Sequence, residues 1–257
     1  MQQQRKDVMV YHFDPQKRFF IITVTEQNVP GALGALANIL GLRGINLLEG
    51  WFGGSSEAAQ GPVSFFAEST DPRLDREWIT EYLKASVYVS DIQVQESKNG
   101  FIADTSFPLT WASGDRAVML RVSMTKTIFN VVRAVPGIGE EVLYRMGFES
   151  GKSTWQDLFA RLHPATKEAL ADNLGIYAAV GWGRPELVEL DQVGRRARIA
   201  FAEGFECEGT ATGKPYSHFT RGHLAGAISA YFKADLKCVE TRCVSAAARY
   251  CEFLVSP

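Results

Sequence analysis

Cys238-Val239-Glu240-Thr241-Arg242-Cys243-Val244-Ser245-Ala246-Ala247-Ala248-Arg249-Tyr250-Cys251 is the stretch on which the reading of this chain turns. It holds three of the four cysteines, with a carboxylate two residues past the first. Residues 236–244 and 250–255 are rich in β-formers, and residues 245–249 have to turn between them, although three alanines are a weak turn signal. A hairpin centred near Ala247 sets Cys243 directly opposite Cys251, with Cβ atoms about 4.5–5.5 Å apart. Glu240 joins them only through a bulge or bend, because residues i and i+3 of a regular strand point to opposite faces. Thiolate is a soft ligand for zinc, and carboxylate is an acceptable fourth donor. Free cysteine is also a small buried hydrophobe. Spacing alone therefore leaves metal ligands, reduced core thiols and a disulfide all open.

Working back from the hairpin, Tyr216 to Tyr231 reads as a long helix. Gly222, Leu224, Ala225, Ile228 and Tyr231 give it a small-residue face suited to close packing. Residues 203–214 read as loop, 187–190 and 197–202 as short strands, and Tyr177 to Trp182 as a strand. Two helices are expected over 153–161 and 164–174, the first capped by Ser153 or Thr154. Glu140 to Lys152 is helical, and 125–139 begins helical and breaks at Pro136-Gly137. Arg116 to Met124 reads as a strand, and Phe107-Pro108 with Trp111 to Gly114 as a strand and turn. The polar stretch Ser97-Lys98-Asn99-Gly100 is the expected boundary between a domain of residues 1–100 and one of residues 101–257.

In the first hundred residues, Arg18 to Thr25 is a strand and Asn28-Val29-Pro30-Gly31 a strand-to-helix turn. Leu33, Leu36, Ala37 and Leu40 recur at helical spacing to about Leu42. Strands follow at 45–52 and 62–67, with Gly53-Gly54-Ser55-Ser56 as loop between them. A helix at 75–86 presents Trp78, Ile79, Tyr82 and Leu83 on one face, and a last strand spans 87–95. The order β-α-β-β-α-β is the ferredoxin-like split unit. The fold class expected for the whole chain is α+β: this unit, then a mixed domain with an antiparallel sheet and helices.

Composition narrows the function. The chain has 257 residues, 46% hydrophobic and 22% charged, with a net charge of −2. That charge argues against a large nucleic-acid surface. No run approaches about 18 apolar residues, so no membrane span is expected. The polar start, Met1 to Asp7, has no apolar h-region. Four cysteines without a secretory signal point to a reducing compartment, the cytoplasm by default. No nucleotide loop or nucleophile elbow appears. His218 and His223, five apart on a helix, do not share a face. No acid, base or nucleophile constellation stands out, so no catalytic residue is assigned. Trp155, Trp182, Phe205, Phe219 and Tyr231 could line an apolar pocket, or form ordinary core.

Two resemblances add to this reading. Val29-Pro30-Gly31-Ala32-Leu33 and Arg43-Gly44-Ile45-Asn46-Leu47 resemble the ACT domain of amino-acid-responsive regulators, over about residues 18–96. By that resemblance Glu26, Gln27, Asn28, Val29, Pro30, Gly31 and Ala32, with Asn46, would hold a small ligand, often an amino acid, at a homodimer interface. Backbone amides at a helix start suit a carboxylate, and Gly31 permits close approach. In the second half, Leu143-Tyr144-Arg145-Met146-Gly147 with Gly151, Gly181-Trp182-Gly183, Phe205-Glu206-Cys207, Arg221-Gly222-His223-Leu224-Ala225-Gly226 and Glu240-x-x-Cys243 with Cys251 resemble 4-vinyl-reductase-type domains. These predicted hydrocarbon-binding domains are similar to the effector domains of aromatic-sensing activators.

In the phenol-sensing relatives a structural zinc is held by a cysteine near the start of the long helix, then by the glutamate and the two terminal cysteines. The resemblance implies Glu240, Cys243 and Cys251 here. The helix cysteine falls on Ser217, with His218 and Cys207 as alternative fourth donors. The expected function is ligand sensing: a small hydrophobic or aromatic molecule in the second domain, and an amino-acid-like effector or dimerisation in the first. Output would pass through an unidentified protein partner. The alternatives are a reductase or accessory factor acting on a tetrapyrrole vinyl group, and a dimeric scaffold without ligand.

Overall fold

A computed structural model of the chain describes residues 7–8, 10–54, 57–111, 114–160 and 165–257. It divides into two compact units, Met1–Phe107 and Pro108–Pro257. The fold is α+β, with antiparallel sheets and helices in both units.

The first unit runs β1 (Tyr11–Phe13), β2 (Arg18–Gln27), α1 (Ala32–Gly41), β3 (Asn46–Phe52), β4 (Gln60–Ser69), α2 (Arg76–Lys84), β5 (Val89–Glu96) and β6 (Phe101–Ala103). Its main sheet is antiparallel in the order β3-β4-β2-β5. The central strand β2 is buried on both faces, so its apolar residues run without alternation. Phe20, Ile22 and Val24 pack with Leu36 and Leu40 of α1 and Ile79 and Leu83 of α2. Phe19 and Ile21 pack on the other side with Phe66 and with Ile102 of β6. A two-stranded ribbon, β1 with β6, supplies Ile102. Asp75 caps α2, its carboxylate accepting from the Trp78 amide at 2.8 Å. The turn at 97–100 leads into β6 within this unit.

The second unit runs α3 (Val122–Arg133), α4 (Gly139–Thr154), a π-helical turn (Trp155–Phe159), α5 (Lys167–Ala179), β7 (Arg184–Asp191), β8 (Arg196–Ala202), α6 (His218–Phe232), β9 (Lys237–Arg242) and β10 (Cys251–Ser256). The sheet order is β7-β8-β10-β9, antiparallel throughout. Among the described residues, no helix is long and apolar enough to cross a membrane.

The core of this unit is the crossing of α4 and α6. A Cβ added at Gly147 or Gly151 would drive into the carbonyls of Phe219 and His223, and one at Gly222 or Gly226 into those of Tyr144 and Phe148. Each helix thus carries two glycines four residues apart, set against the other's backbone. Only glycine allows that approach, which also brings Cα–H groups to facing carbonyls. Almost every residue of α6 is buried, as expected of a helix enclosed on all sides.

Four local expectations are corrected. Arg116–Met124 is not a strand: it makes one isolated bridge, Thr110 to Arg116, and α3 begins at Val122. A short apolar run such as Val118-Met119-Leu120 cannot be assigned by periodicity alone. α3 itself starts earlier than residue 125 and stops at Arg133, before the Pro136-Gly137 break. Tyr177 to Trp182 is not a strand either. α5 continues to Ala179, because Ala169, Leu170, Asn173, Leu174 and Tyr177 extend one helical stripe. Nor is there a fresh helix at Ser153. The Thr154 hydroxyl donates to the Ser150 carbonyl and that of Ser153 to Asp157, so neither caps, and the chain passes unbroken into the π turn. Ser55, Ser56, Ala112, Ser113 and residues 161–164 lie outside the described residues, with the ends of the expected loop and helices that fall on them.

We expect Gly222→Ala and Gly151→Ala each to destabilise the chain by about 3 kcal/mol, the upper range for overpacking. Gly175→Ala on α5, where a Cβ meets open space, should instead stabilise by up to about 1 kcal/mol. Urea unfolding of the three variants measures the contrast.

Candidate functional site

The start of α6 is where the chemistry collects. Its first amides have no partners within the helix, and two buried carboxylates supply them. Glu206 accepts from the Phe219 amide at 3.2 Å, from the Thr220 amide at 2.9 Å and from the Thr220 hydroxyl at 3.0 Å. Arg133 completes the set, donating to Glu206 at 2.8 Å. Burial pushes the Glu206 carboxyl up, and these bonds oppose it. Glu240 accepts from the amides of Tyr216 and Ser217 at 3.2 and 3.1 Å and from the Ser217 hydroxyl at 2.8 Å. A carboxylate at a helix N-terminus also gains from the helix dipole.

Glu240 reaches this point through the β9–β10 hairpin. Pairing shifts there, Arg242 facing Glu252 but Glu240 facing Phe253, so Thr241 is bulged. This bulge turns Glu240 towards the cysteines. Past β9 the chain makes a 3-10 turn, Val244–Ala246, and reverses with Ala247 at φ 64°. Cys243 and Cys251 then stand with Sγ atoms 3.9 Å apart. Cys207, from the loop after β8, lies 3.4 Å from Cys243 and 2.9 Å from the Ser217 hydroxyl.

The donor atoms of Cys207, Glu240, Cys243 and Cys251 all fall within 4.8 Å of one another and all four residues are buried. Tetrahedral zinc with bonds of about 2.3 Å needs sulfur atoms roughly 3.8 Å apart, so this donor set fits a metal ion. A hydrogen bond with Cys207 lowers the Cys251 thiol, while the same bond, then burial, raises that of Cys207. Burial raises Cys243. Cys251 is therefore the first of the three to become the thiolate a metal needs. Of the three residues weighed as fourth donor, Cys207 lies in the cluster and Ser217 touches it through its hydroxyl. His218 stands outside: its Nε2 is 3.6 Å from Glu140, neither ring nitrogen has a hydrogen-bond partner among the described residues, and burial lowers it to about 4. Cys238 is buried elsewhere on β9, its thiol raised by burial.

The five aromatic candidates fall into two groups. Trp182, Phe205 and Phe219 pack together, ring centroids 5.6 Å from Trp182 in both cases. Trp155 and Tyr231 meet edge to face at 5.3 Å beside Phe159. Against Trp182 lies a pair the sequence reading missed: the Tyr177 hydroxyl and His223 Nδ1, 2.5 Å apart and buried. Burial lowers His223 to about 4 and raises Tyr177, so the ring is neutral. The signal for this pair was the helical stripe ending at Tyr177.

In the first unit a cavity of about 310 Å³ lies beside the strand-helix turn, lined among others by Glu26, Gln27, Asn28, Val29, Leu33 and Phe52. Pro30, Gly31 and Ala32 shape the turn but do not line it, and Asn46 donates to Glu68 instead. Glu26 is 5% exposed, burial raises its carboxyl, and Oε1 has no hydrogen-bond partner among the described residues.

Comparison with known proteins agrees with this geometry in the second unit. Residues 198–257, from β8 to the end and including all four cysteines, match the 4-vinyl reductase domain family, so the chain carries a 4-vinyl reductase domain in its C-terminal part. No curated protein matches the chain. Among solved structures it is similar to the phenol-responsive sensory domain of the transcription activator PoxR with phenol. The identity is 18% and the TM-score 0.50, covering 57% of this chain and 79% of that one. That likeness is one of fold. Two further matches are a vinyl-4-reductase family protein from Methanocaldococcus jannaschii (21% identity, TM-score 0.38, 55% and 83% covered) and trafficking protein particle complex subunit 3 from Naegleria fowleri, covalently bound to palmitic acid (11%, 0.41, 52% and 93%).

The neutral histidine has a consequence for stability. A folded-state value of about 4 against an ordinary 6.5 means the unfolded chain takes up the proton first. Stability is then full above about pH 6.5 and falls as pH drops towards 4, by on the order of 3 kcal/mol for this group. His223→Gln keeps a partner for Tyr177 without titrating. It should flatten the acid limb of urea-unfolding stability by that share, leaving the limb due to His218.

Proposed function

We propose that the chain is a ligand-sensing regulatory protein whose 4-vinyl reductase domain binds a small hydrophobic or aromatic molecule. The observation that carries this reading is the buried Tyr177–His223 pair, a single polar contact among Trp182, Phe219 and Phe201. Apolar sites with one or two placed polar groups take small aromatic ligands, and a neutral imidazole can accept from a phenolic hydroxyl as it does from Tyr177. The likeness to a phenol-responsive sensory domain supports the same class of ligand. Sensing would follow if the ligand prefers one packing of Trp182 and α6 over another. Within this reading Cys207, Glu240, Cys243 and Cys251 hold a structural zinc that pins the start of α6 to the hairpin. Residues 101–257 form the sensing domain, and residues 1–100 an ACT-like domain. The cavity beside Glu26 favours an effector with an ammonium group, such as an amino acid, in the latter. Output passes to a protein partner.

Two measurements test this. Metal analysis of purified protein should find one zinc per chain, lost in Cys207→Ser and Cys251→Ser and kept in Cys238→Ser and His218→Gln. Zinc retained in Cys207→Ser would remove that residue from the site. Calorimetric titration of the zinc-loaded chain with phenol should show saturable binding, weakened about tenfold or more in Tyr177→Phe, as befits a buried hydrogen bond worth roughly 1–3 kcal/mol. Absence of binding by phenol and its methyl derivatives would sink the sensor reading.

A further inference from the structure

Helix α3 is built inside out. A surface helix ordinarily turns its apolar stripe inward and its charges to water. Here the two charged residues of α3 point into the unit. Lys126 donates to the Glu208 carbonyl, with the Thr210 hydroxyl at 3.4 Å. Arg133 binds Glu206 at 2.8 Å and lies over the Tyr216 ring at 3.7 Å. The inner face also seats Phe129 against Leu143 and Phe205. The outward face is left to Met124, Ile128 and Val131, with Val135 just past the helix end, exposed by 49%, 42%, 69% and 43%. Polar groups beside them are already spent: Thr127 donates to the Ser123 carbonyl, and Asn130 accepts from Arg133 and from Tyr216. Such a face can lose water at little cost, and contiguous apolar patches of this kind mark interfaces.

We infer that this face pairs with the same face of a second copy of the chain, α3 against α3. Two features select that occupant. A two-fold axis sets like against like, so a charged residue on such a patch would meet its own kind; this one carries none. The spacing 124, 128, 131, 135 is the 4-3-4 repeat that packs at about 20° against another helix of the same repeat, and α3 itself provides one. Antiparallel pairing would also oppose the helix dipoles favourably, and set the Arg121 end of each copy towards the Glu140–Glu141 end of the other. The contact is independent of ligand and metal, and places dimerisation in the second unit rather than at the ACT-like turn.

Analytical ultracentrifugation of the full chain over a concentration series tests it. Wild type should sediment at twice the chain mass, and Val131→Glu should weaken the dimer by about a hundredfold or more. Val131→Thr, which keeps the side-chain shape should Val131→Glu fold poorly, should weaken it by about tenfold. Mixing Val131→Glu with Val131→Lys should restore a heterodimer, a result that only copy-to-copy contact at this residue produces. A wild-type monomer at all concentrations, as when another part of the same chain covers α3, would overturn the inference. So would a dimer unaffected by either Val131 variant.

Discussion

The second unit depends on a contact between two backbones. Where α4 crosses α6, four glycines remove every Cβ from the meeting surface, and each helix rests on the other's carbonyl groups. Side chains cannot adjust to error at such a crossing, because the colliding atoms belong to regular helices. The register of α6 is therefore set to within one residue. Everything α6 carries at its start and middle inherits that register: Ser217 beside the cysteines, Thr220 on Glu206, His223 against Tyr177. Close packing in interiors transmits displacement rather than absorbing it, which suits a domain that reports on what lies within it.

The two glutamates at the α6 start divide their work. Glu206 ties the helix to Arg133 of α3, and Glu240 ties it to the hairpin. Removing either would leave buried amides without acceptors, at a cost of roughly 1–3 kcal/mol each. Between them sit the thiols, so the cluster is placed by hydrogen bonds that exist whether or not an ion is present. A donor set held this way is preorganised. The bulge at Thr241 is what allows a strand residue to take part.

Much of this was legible in the sequence. The β-α-β-β-α-β order and the hairpin with its required bulge followed from alternation, helical spacing and the position of Glu240. Cys207 was readable only as one of three alternatives. Its contribution depends on how the loop after β8 returns to the α6 start, a path fixed by Glu206 and not by any local propensity. The Tyr177–His223 pair was hidden because Tyr177-Ala178-Ala179-Val180 reads equally as strand by composition, and only the stripe back to Ala169 marks it as helix. β1 and β6, three residues each, are too short to show a pattern at all. Val118-Met119-Leu120 misled for the opposite reason: its apolar character looked like strand, and the sheet had no place for it.

The ribbon of β1 and β6 changes what the first unit can join. A four-stranded sheet with both helices on one side would ordinarily offer its bare face as a platform for stacking. Ile102 and the ribbon close that platform. What remains open along the sheet is its margins, β3 and β5. Both are irregular: β3 slips register against β4 at Leu47–Glu49, and β5 against β2 at Thr25–Glu26. Such slips blunt a margin against strand addition by strangers. The unit is in this sense sealed above and hemmed at the sides, so traffic with it is left to the mouth of the cavity beside Glu26 and to the outer surfaces of α1 and α2.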